Sequence, residues 1–137
     1  MRVKFTVLGD PTGKQRHRTT RSGHTYTPDK TARYENLVKV EYQRQCGIRF
    51  PDDAQLDVRI LAYHPIPTST SKKKRKLMEE RAIRPAKKPD WDNIGKIVTD
   101  SLNQVAYRDD AQVVDAQVRK FYSERPRIEV IIQEASA

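Results

Sequence analysis

Acidic side chains at short spacing mark the part of this sequence that is best suited to chemistry. Asp90 and Asp92 stand one residue apart directly after Pro89, Lys96 follows four residues later, and a second acidic pair occupies Asp109–Asp110. Carboxylates held a few ångströms apart repel one another unless a cation lies between them. Because every ligand on offer is an oxygen atom, the cation that suits these side chains is Mg²⁺ or Mn²⁺.

The segment that follows the proline is predicted to form a helix near residues 92–103. Its apolar residues recur at helical spacing, and the fixed φ of proline allows the helix to begin only after it. Asp92, Lys96 and Asp100 would then lie four residues apart on one polar face of the helix. Asp90 lies ahead of the helix, where it is free to converge with Asp92.

The same residues have an ordinary structural interpretation. An aspartate at the start of a helix commonly caps it, because free N–H groups and the helix dipole favour an anion there. Alternating acidic and basic residues four apart commonly form a solvated helix face, and Asp109–Asp110 could form a turn. The acidic residues by themselves do not distinguish these alternatives from a metal site. The basic character of the rest of the chain favours the metal site.

Charge is distributed unevenly along the 137 residues. Residues 1–88 carry 21 Lys and Arg against 9 Asp and Glu, whereas residues 89–137 carry 6 against 9, so the net charge of +9 divides into +12 and −3. A basic body suits a phosphate backbone, and less readily an anionic membrane surface. Acidic residues within such a surface would weaken binding unless they hold a divalent metal at a phosphate.

Three basic stretches are expected to contact phosphates. The first is an extended arm with its basic side chains on one side, the second is a run of five consecutive cations, and the third directly precedes the aspartates. The residues predicted to bind DNA are Lys14, Arg16, Arg18, Lys72, Lys73, Lys74, Arg75, Lys76, Lys87 and Lys88. The alternatives are a mobile, solvated loop for the arm and a solvated charge run for the second stretch.

The overall pattern predicts a single α+β domain over residues 1–137, with a small mixed β-sheet packed with about three helices. The helices are expected near residues 28–46, 72–82 and 92–103, and Thr27 is the predicted N-cap of the first. Alternating apolar residues predict a strand at the N-terminus and others at 55–63, 113–121 and 127–133. The last two strands are expected to pair as a hairpin.

Several classes of protein are disfavoured. The single Cys46 excludes an internal disulfide and a cysteine-based zinc site, and His17, His24 and His64 show no zinc spacing. No apolar run approaches the roughly 18 residues that would span a membrane, and the N-terminus resembles a strand rather than a signal peptide. A cytoplasmic protein without membrane contact is the simplest expectation.

Five segments resemble the RusA family of Holliday-junction resolvases. They are Gly9–Arg18, Tyr26–Pro28, Lys88–Lys96, Asp100–Asn103 and Tyr107–Val113, with the sequences GDPTGKQRHR, YTP, KPDWDNIGK, DSLN and YRDDAQV. The first two match the basic N-terminal pattern of the family, and the others contain its ordered acidic residues. The resemblance covers nearly the whole chain.

The resemblance implies a Mg²⁺-dependent endodeoxyribonuclease, with Mn²⁺ able to substitute, that acts as a homodimer on branched DNA. It would resolve four-way junctions by paired, symmetric nicks. The family's metal-binding aspartates correspond to Asp90, Asp92 and Asp110, and its catalytic lysine corresponds to Lys96. These residues would position a metal that polarises the phosphate and helps to generate hydroxide, while the lysine stabilises developing negative charge.

The chain departs from the family pattern at two places. Lys88–Pro89 lacks the apolar or aromatic residues that some relatives use there to disturb the junction, and Trp91 is bulkier than the usual aliphatic residue. Both departures bear on substrate preference. They do not affect the expected metal ligands. The alternative functions are a nuclease for forks, flaps or other branched DNA, and a non-catalytic nucleic-acid-binding module whose aspartates are structural.

Overall fold

The elements of the fold are taken from a computed structural model that describes residues 1–15, 18–26 and 28–137. In chain order they are β1 (Arg2–Leu8), β2 (Arg18–Thr19), β3 (Thr25–Tyr26), α1 (Asp29–Gln45), β4 (Leu56–Pro65), α2 (Lys72–Glu79), α3 (Trp91–Ser101), a 3-10 turn (Asp110–Gln112), β5 (Val113–Ser123) and β6 (Arg127–Glu134). The predicted α+β class is confirmed, with a mixed sheet and three helices near the expected positions.

The main sheet has the strand order β1-β6-β4-β5. β4 pairs in parallel with β5 and antiparallel with β6, which in turn pairs antiparallel with β1. The predicted hairpin of the last two strands is therefore wrong, because β4 lies between them. β4 is buried along most of its length, as a central strand is, and such a strand needs a hydrogen-bonding neighbour on both edges.

One face of the sheet is covered by α1 and α3, and the core lies between these layers. The sheet contributes apolar side chains at alternating positions, among them Phe5, Val7, Val58, Ile60, Val130 and Ile132. The helices contribute the residues of their apolar stripes, Tyr34, Val38 and Tyr42 from α1 and Ile94, Ile97 and Val98 from α3. Each fully buried side chain of this size contributes about 1.5–3 kcal/mol to stability. The core thus fixes α3 against the sheet.

The helix termini follow local chemistry. α2 begins after Ser71, whose hydroxyl accepts a hydrogen bond from the Lys74 backbone N–H. It ends earlier than predicted because Arg81 has a positive φ of 67°, which stops the helical path. The predicted N-cap Thr27 lies outside the described residues, and α1 begins directly after Pro28. Across the described part of the chain, no helix is long and apolar enough to cross a membrane.

Candidate active site

The start of α3 presents its acidic side chains without using them as caps. Asp90 is the N-cap residue, with an extended backbone, but its side chain makes no capping hydrogen bond. Asp92 lies in the first turn and is exposed, and Trp91 between them is 65% exposed. The Asp90 carboxylate is therefore available for a role other than capping.

A close approach of the N-terminal loop forms one wall of the site. The Lys14 backbone N–H donates to the Asn93 carbonyl at 2.8 Å, and a Cβ at Gly13 would lie only 2.9 Å from Cβ of Pro89. Any side chain at residue 13 would push the loop away from α3. The absence of a side chain at Gly13 thus lets the N-terminal loop contact the segment that carries Asp90.

Two polar grooves meet at Asp90. The first, of about 510 Å³, lies between the N-terminal loop and the start of α3, and its lining includes Lys14, Lys30 and Lys88. The second, of about 430 Å³, has Lys87, Lys88, Lys120, Asp90, Trp91 and Asp92 in its lining. Both grooves combine lysines with an aspartate, which is the charge pattern of a surface that accepts a phosphate backbone beside a cation.

A third cavity, of about 310 Å³, joins the two predicted acidic positions. Asp92 and Asp110 both line it, while Val58, Ile60 and Val118 form an apolar part of its wall. Asp92 also borders the second groove, so the grooves and the cavity follow one another along the start of α3. Apolar walls strengthen electrostatic interactions by lowering the local dielectric constant.

The two residues of the later acidic pair have different roles. Asp109 caps the 3-10 turn: its carboxylate accepts from the Ala111 N–H at 2.9 Å, while Gln112 accepts from the Asp109 N–H. Asp110 is placed by its backbone, because its N–H donates to the Asn103 side chain at 2.8 Å. The turn interpretation therefore holds for Asp109, whereas Asp110 lines the cavity.

Asp110 is in contact with a carboxylate that the sequence did not assign to the site. Burial raises the pKa of Asp110, the neighbouring Asp100 carboxylate and the charge of Asp109 raise it further, and Lys96 opposes the shift. Asp100 belongs to the DSLN segment and lies four residues after Lys96. That spacing is the signal by which it could have been assigned.

A chain of ion pairs links the N-terminal loop to Lys96. Lys14 Nζ lies 2.9 Å from Glu35 Oε2 and 3.4 Å from Asp100 Oδ2, and Lys96 Nζ lies 3.2 Å from the same Asp100 oxygen. Burial lowers the pKa of Lys14, but the two carboxylates outweigh this effect and raise the pKa above its ordinary value. Lys14, which was predicted to contact DNA, thus directs its ammonium group toward acidic side chains of the protein.

The donor set fits a hard divalent cation in its chemistry. It consists only of carboxylate oxygens, and the contact between Asp100 and Asp110 is unfavourable without a positive charge nearby. Asp92 and Asp110 share one cavity, whereas Asp90 borders the two grooves. Within residues 1–15, 18–26 and 28–137, no three Asp, Glu, His or Cys side chains are grouped closely enough to hold an ion.

The other predicted DNA contacts are distributed over several surfaces. Lys72, Lys73 and Lys74 are exposed on α2, whereas Arg75 pairs with Glu124 and Lys76 lies 3.9 Å from Glu80. Lys87 and Lys88 line the grooves described above. Arg18 belongs to β2, and Arg16 and His17 lie outside the described residues.

Comparison with known proteins supplies an independent result. The family model described as "Endodeoxyribonuclease RusA" matches residues 9–133. A Bacillus subtilis (strain 168) protein named "Uncharacterized protein YqaN" is 43% identical over 143 residues, an alignment that covers 98% of this chain and 98% of that protein. Each acidic residue of the candidate site falls within the matched range.

Proposed function

Because the chain belongs to the RusA family of endodeoxyribonucleases, we propose that it resolves four-way Holliday junctions by paired, symmetric nicks in a Mg²⁺-dependent reaction. Membership of the family makes the chain a nuclease that acts on DNA, and the family acts on branched DNA and depends on divalent metal. The junction specificity, the identity of the metal and the residue roles given below are the proposed part.

The observation that carries the proposal is the cavity shared by Asp92 and Asp110 at the start of α3. Asp92 and Asp110, which share the cavity, and Asp90 from the adjoining grooves would have to converge to hold the Mg²⁺ ion, which supplies Lewis-acid polarisation of the scissile phosphate when bound. The charge of Lys96 lowers the pKa of Asp110, and Asp110 lines the cavity. Lys96 would therefore neutralise the negative charge that develops on the phosphate or on the leaving oxygen.

The polar grooves would position the DNA strand. Lys30 and Lys88 line the first groove, and Lys87 and Lys120 line the second, so a phosphodiester backbone meets positive charge on both sides of Asp90. Holding the strand in one geometry contributes to the rate because the reacting groups no longer have to find each other. The aspartates interrupt this basic track only where the bond is to be cut.

The proposed active species is a homodimer. A four-way junction has approximate two-fold symmetry, and resolution needs two matched nicks, whereas each chain carries one candidate site. A closed two-fold dimer would place two sites suitably. Analytical ultracentrifugation tests this directly: a protein that is monomeric at micromolar concentration, both free and on a junction, contradicts the proposal.

One observation favours a second candidate, a nuclease for forks, flaps or other branched DNA. Trp91 is 65% exposed beside the groove and offers a flat apolar surface on which an unpaired base can stack. Forks and flaps present unpaired bases next to a duplex. The third candidate, a non-catalytic binding module, would leave every substrate intact.

The test is cleavage of end-labelled DNA with Mg²⁺ and with EDTA. We expect symmetric cuts near the crossover of a four-way junction, in Mg²⁺ only, and much slower cutting of linear duplex. Preferred cutting of a fork or a flap would support the second candidate. Binding without cutting in Mg²⁺ and in Mn²⁺ would contradict the nuclease activity of this chain.

A further inference from the structure

Three arginines surround one aromatic ring on the edge strand β5. The guanidinium carbons of Arg81, Arg84 and Arg119 lie 4.2, 4.5 and 4.9 Å from the centre of the Phe121 ring. The ring itself is buried, while all three arginines are exposed. Stacking on an aromatic face holds a guanidinium group in a fixed position and leaves its N–H donors free.

These guanidinium groups have no acidic partner within the part of the chain that the structure describes. None of the ion pairs found there, out to 4.0 Å, includes Arg81, Arg84 or Arg119. Arg127 provides a contrast: it stacks on Tyr63 at 4.0 Å but is also paired with Glu129 at 2.7 Å. Three neighbouring positive charges without a carboxylate repel one another, and an external anion would relieve this repulsion.

The backbone of Arg81 provides an independent observation. Arg81 follows the end of α2 with a φ of 67°, and the Ala82 N–H donates back to the Leu77 carbonyl at 2.9 Å. This arrangement ends many helices, and glycine is the usual residue because a side chain is disfavoured in the left-handed region. The chain has an arginine at a position where its own backbone favours glycine. That indicates a role for the arginine side chain.

The cluster continues the basic surface of the candidate active site. Arg84 Nε donates to the Lys120 carbonyl at 2.9 Å, and Lys120 Nζ donates to the Lys87 carbonyl at 2.5 Å. Lys87 and Lys120 both line the groove that contains Asp90 and Asp92. Positive charge therefore extends from the aspartates around the edge of β5 to the Phe121 ring.

We propose that Arg81, Arg84 and Arg119 bind backbone phosphates of a duplex arm of the DNA substrate, outside the active site. The arginine fork matches the geometry of phosphate oxygens, and no base is read, so the contact is independent of sequence. The proposal rests on the proposed function for its ligand, because branched DNA has duplex arms on either side of the point of cleavage.

A purely structural role is the competing explanation. Arginines that cover an aromatic ring and border a sheet edge can shield both from solvent, and their loss then reduces stability through lost packing. The two explanations differ in what a substitution changes. A structural cover affects the melting temperature, whereas a phosphate contact affects the salt dependence of DNA binding.

The experiment compares Arg81→Gly, Arg84→Gln and Arg119→Gln with the wild-type protein. Arg2→Gln is the matched control, because Arg2 is an exposed arginine on β1, the opposite edge of the sheet. Affinity for a labelled duplex and for a four-way junction is measured over a series of salt concentrations in EDTA, so that no cutting occurs. Melting temperatures are measured in parallel.

We expect each of the three variants to reduce the slope of log affinity against log salt by about one unit, and the control to leave it unchanged. Arg81→Gly should also melt at the wild-type temperature or above, because glycine relieves the left-handed backbone. Wild-type slopes in all three variants overturn the proposal, as do lower melting temperatures with unchanged slopes.

The outcomes separate this proposal from the proposed function. If the wild-type protein cuts junctions and the variants keep its salt slope, the proposal for the three arginines is wrong and the proposed nuclease function is retained. If the wild-type protein cuts nothing but the variants have a lower salt slope, the proposal for the arginines is retained and the proposed function is wrong. A wild-type protein that binds no DNA at low salt overturns both.

Discussion

Lys96 and Asp100 lie one turn apart on α3, with Lys96 Nζ 3.2 Å from Asp100 Oδ2. The same oxygen lies 3.4 Å from Nζ of Lys14, which is held by Glu35 on α1. The proposed catalytic lysine is exposed, but the carboxylate beside it is largely buried and is oriented by a second lysine. The position of the Lys96 ammonium group thus depends on residues from three separate segments of the chain.

Removing the Asp100 charge should slow cleavage by acting through Lys96. We expect Asp100→Asn to cut about fivefold more slowly with unchanged junction affinity, the size expected for a partly exposed ion pair of up to about 1 kcal/mol. In a Lys96→Met background, Asp100→Asn should cause no further loss. Single-turnover rates of the four proteins measure this; an equal loss in both backgrounds would show that Asp100 acts independently of Lys96.

Substitutions of the acidic residues at the site should have a different effect from substitution of the acidic residue in the neighbouring turn. Asp90→Asn, Asp92→Asn and Asp110→Asn should each abolish cleavage, because a charged metal ligand is lost, while DNA binding survives or tightens. Asp109→Asn is the matched control, because asparagine caps a turn about as well as aspartate. Cleavage rate, junction affinity and a thermal melt are compared. Folded site variants that cut at the wild-type rate would contradict the metal site.

Asp110 should destabilise the protein at neutral pH in the absence of metal. Its pKa is raised above 3.8 by burial and by Asp100, so its stabilising contribution is complete below 3.8 and is lost as the pH rises through the raised value. In EDTA at pH 7, Asp110→Asn should therefore unfold at a slightly higher urea concentration. The free energy of unfolding should rise by less than about 1 kcal/mol, because the group is partly exposed. A lower urea midpoint would contradict this interpretation.

His64 should make the fold sensitive to mild acid. It is 3% exposed; burial lowers its pKa below 6.5, and the charges of Lys120 and Lys87 lower it further. Below pH 6.5 the unfolded chain takes up a proton that the folded one resists, so stability is lost as the pH falls toward the depressed value. The urea midpoint should decrease as the pH is lowered from 7.5 to 5.5, and His64→Gln should make this decrease smaller. An identical fall in the variant would contradict the prediction.

The lysines of α2 should contribute to DNA binding unequally. Replacing Lys72, Lys73 and Lys74 with Gln should lower the salt slope of junction binding, by about one unit for each lost contact. Lys76→Gln is the control, because that ammonium group already lies near Glu80. Salt titrations of fluorescence anisotropy measure the slopes. An unchanged slope in the triple variant would exclude α2 from the DNA interface.

Local sequence patterns predicted the helices and strands of this protein better than they predicted which elements and side chains contact one another. The helix at residues 91–101 and the adjacent aspartates follow from proline, periodicity and short spacing, which are properties of consecutive residues. Which residue of the later pair lines the cavity depends on hydrogen bonds to Asn103 and Gln112, which the sequence pattern alone does not reveal; the choice of Asp110 came from the resemblance to the family. The predicted hairpin failed for a similar reason, since a short connection between strands does not decide whether a third strand lies between them.

Long-range contacts also determine which basic side chains have acidic partners within the protein. Lys14 was predicted to bind DNA from its basic neighbours, but Glu35 and Asp100, which lie 21 and 86 residues further along the chain, surround its ammonium group. The arginines around Phe121 come from a loop and a strand that are separated by more than 30 residues. Charge counts predicted a basic protein, but they could not predict which cations are already paired.

The position of β4 between β5 and β6 has a consequence for the order of assembly. Both neighbours of this central strand come from residues 113–134, so β4 has no sheet partner while the chain is being synthesised up to that point. Such a topology has high contact order, which slows folding and leaves apolar strand edges open for longer. A nascent chain on the ribosome therefore has no completed sheet behind α3, and the candidate site is assembled only after translation has passed β6.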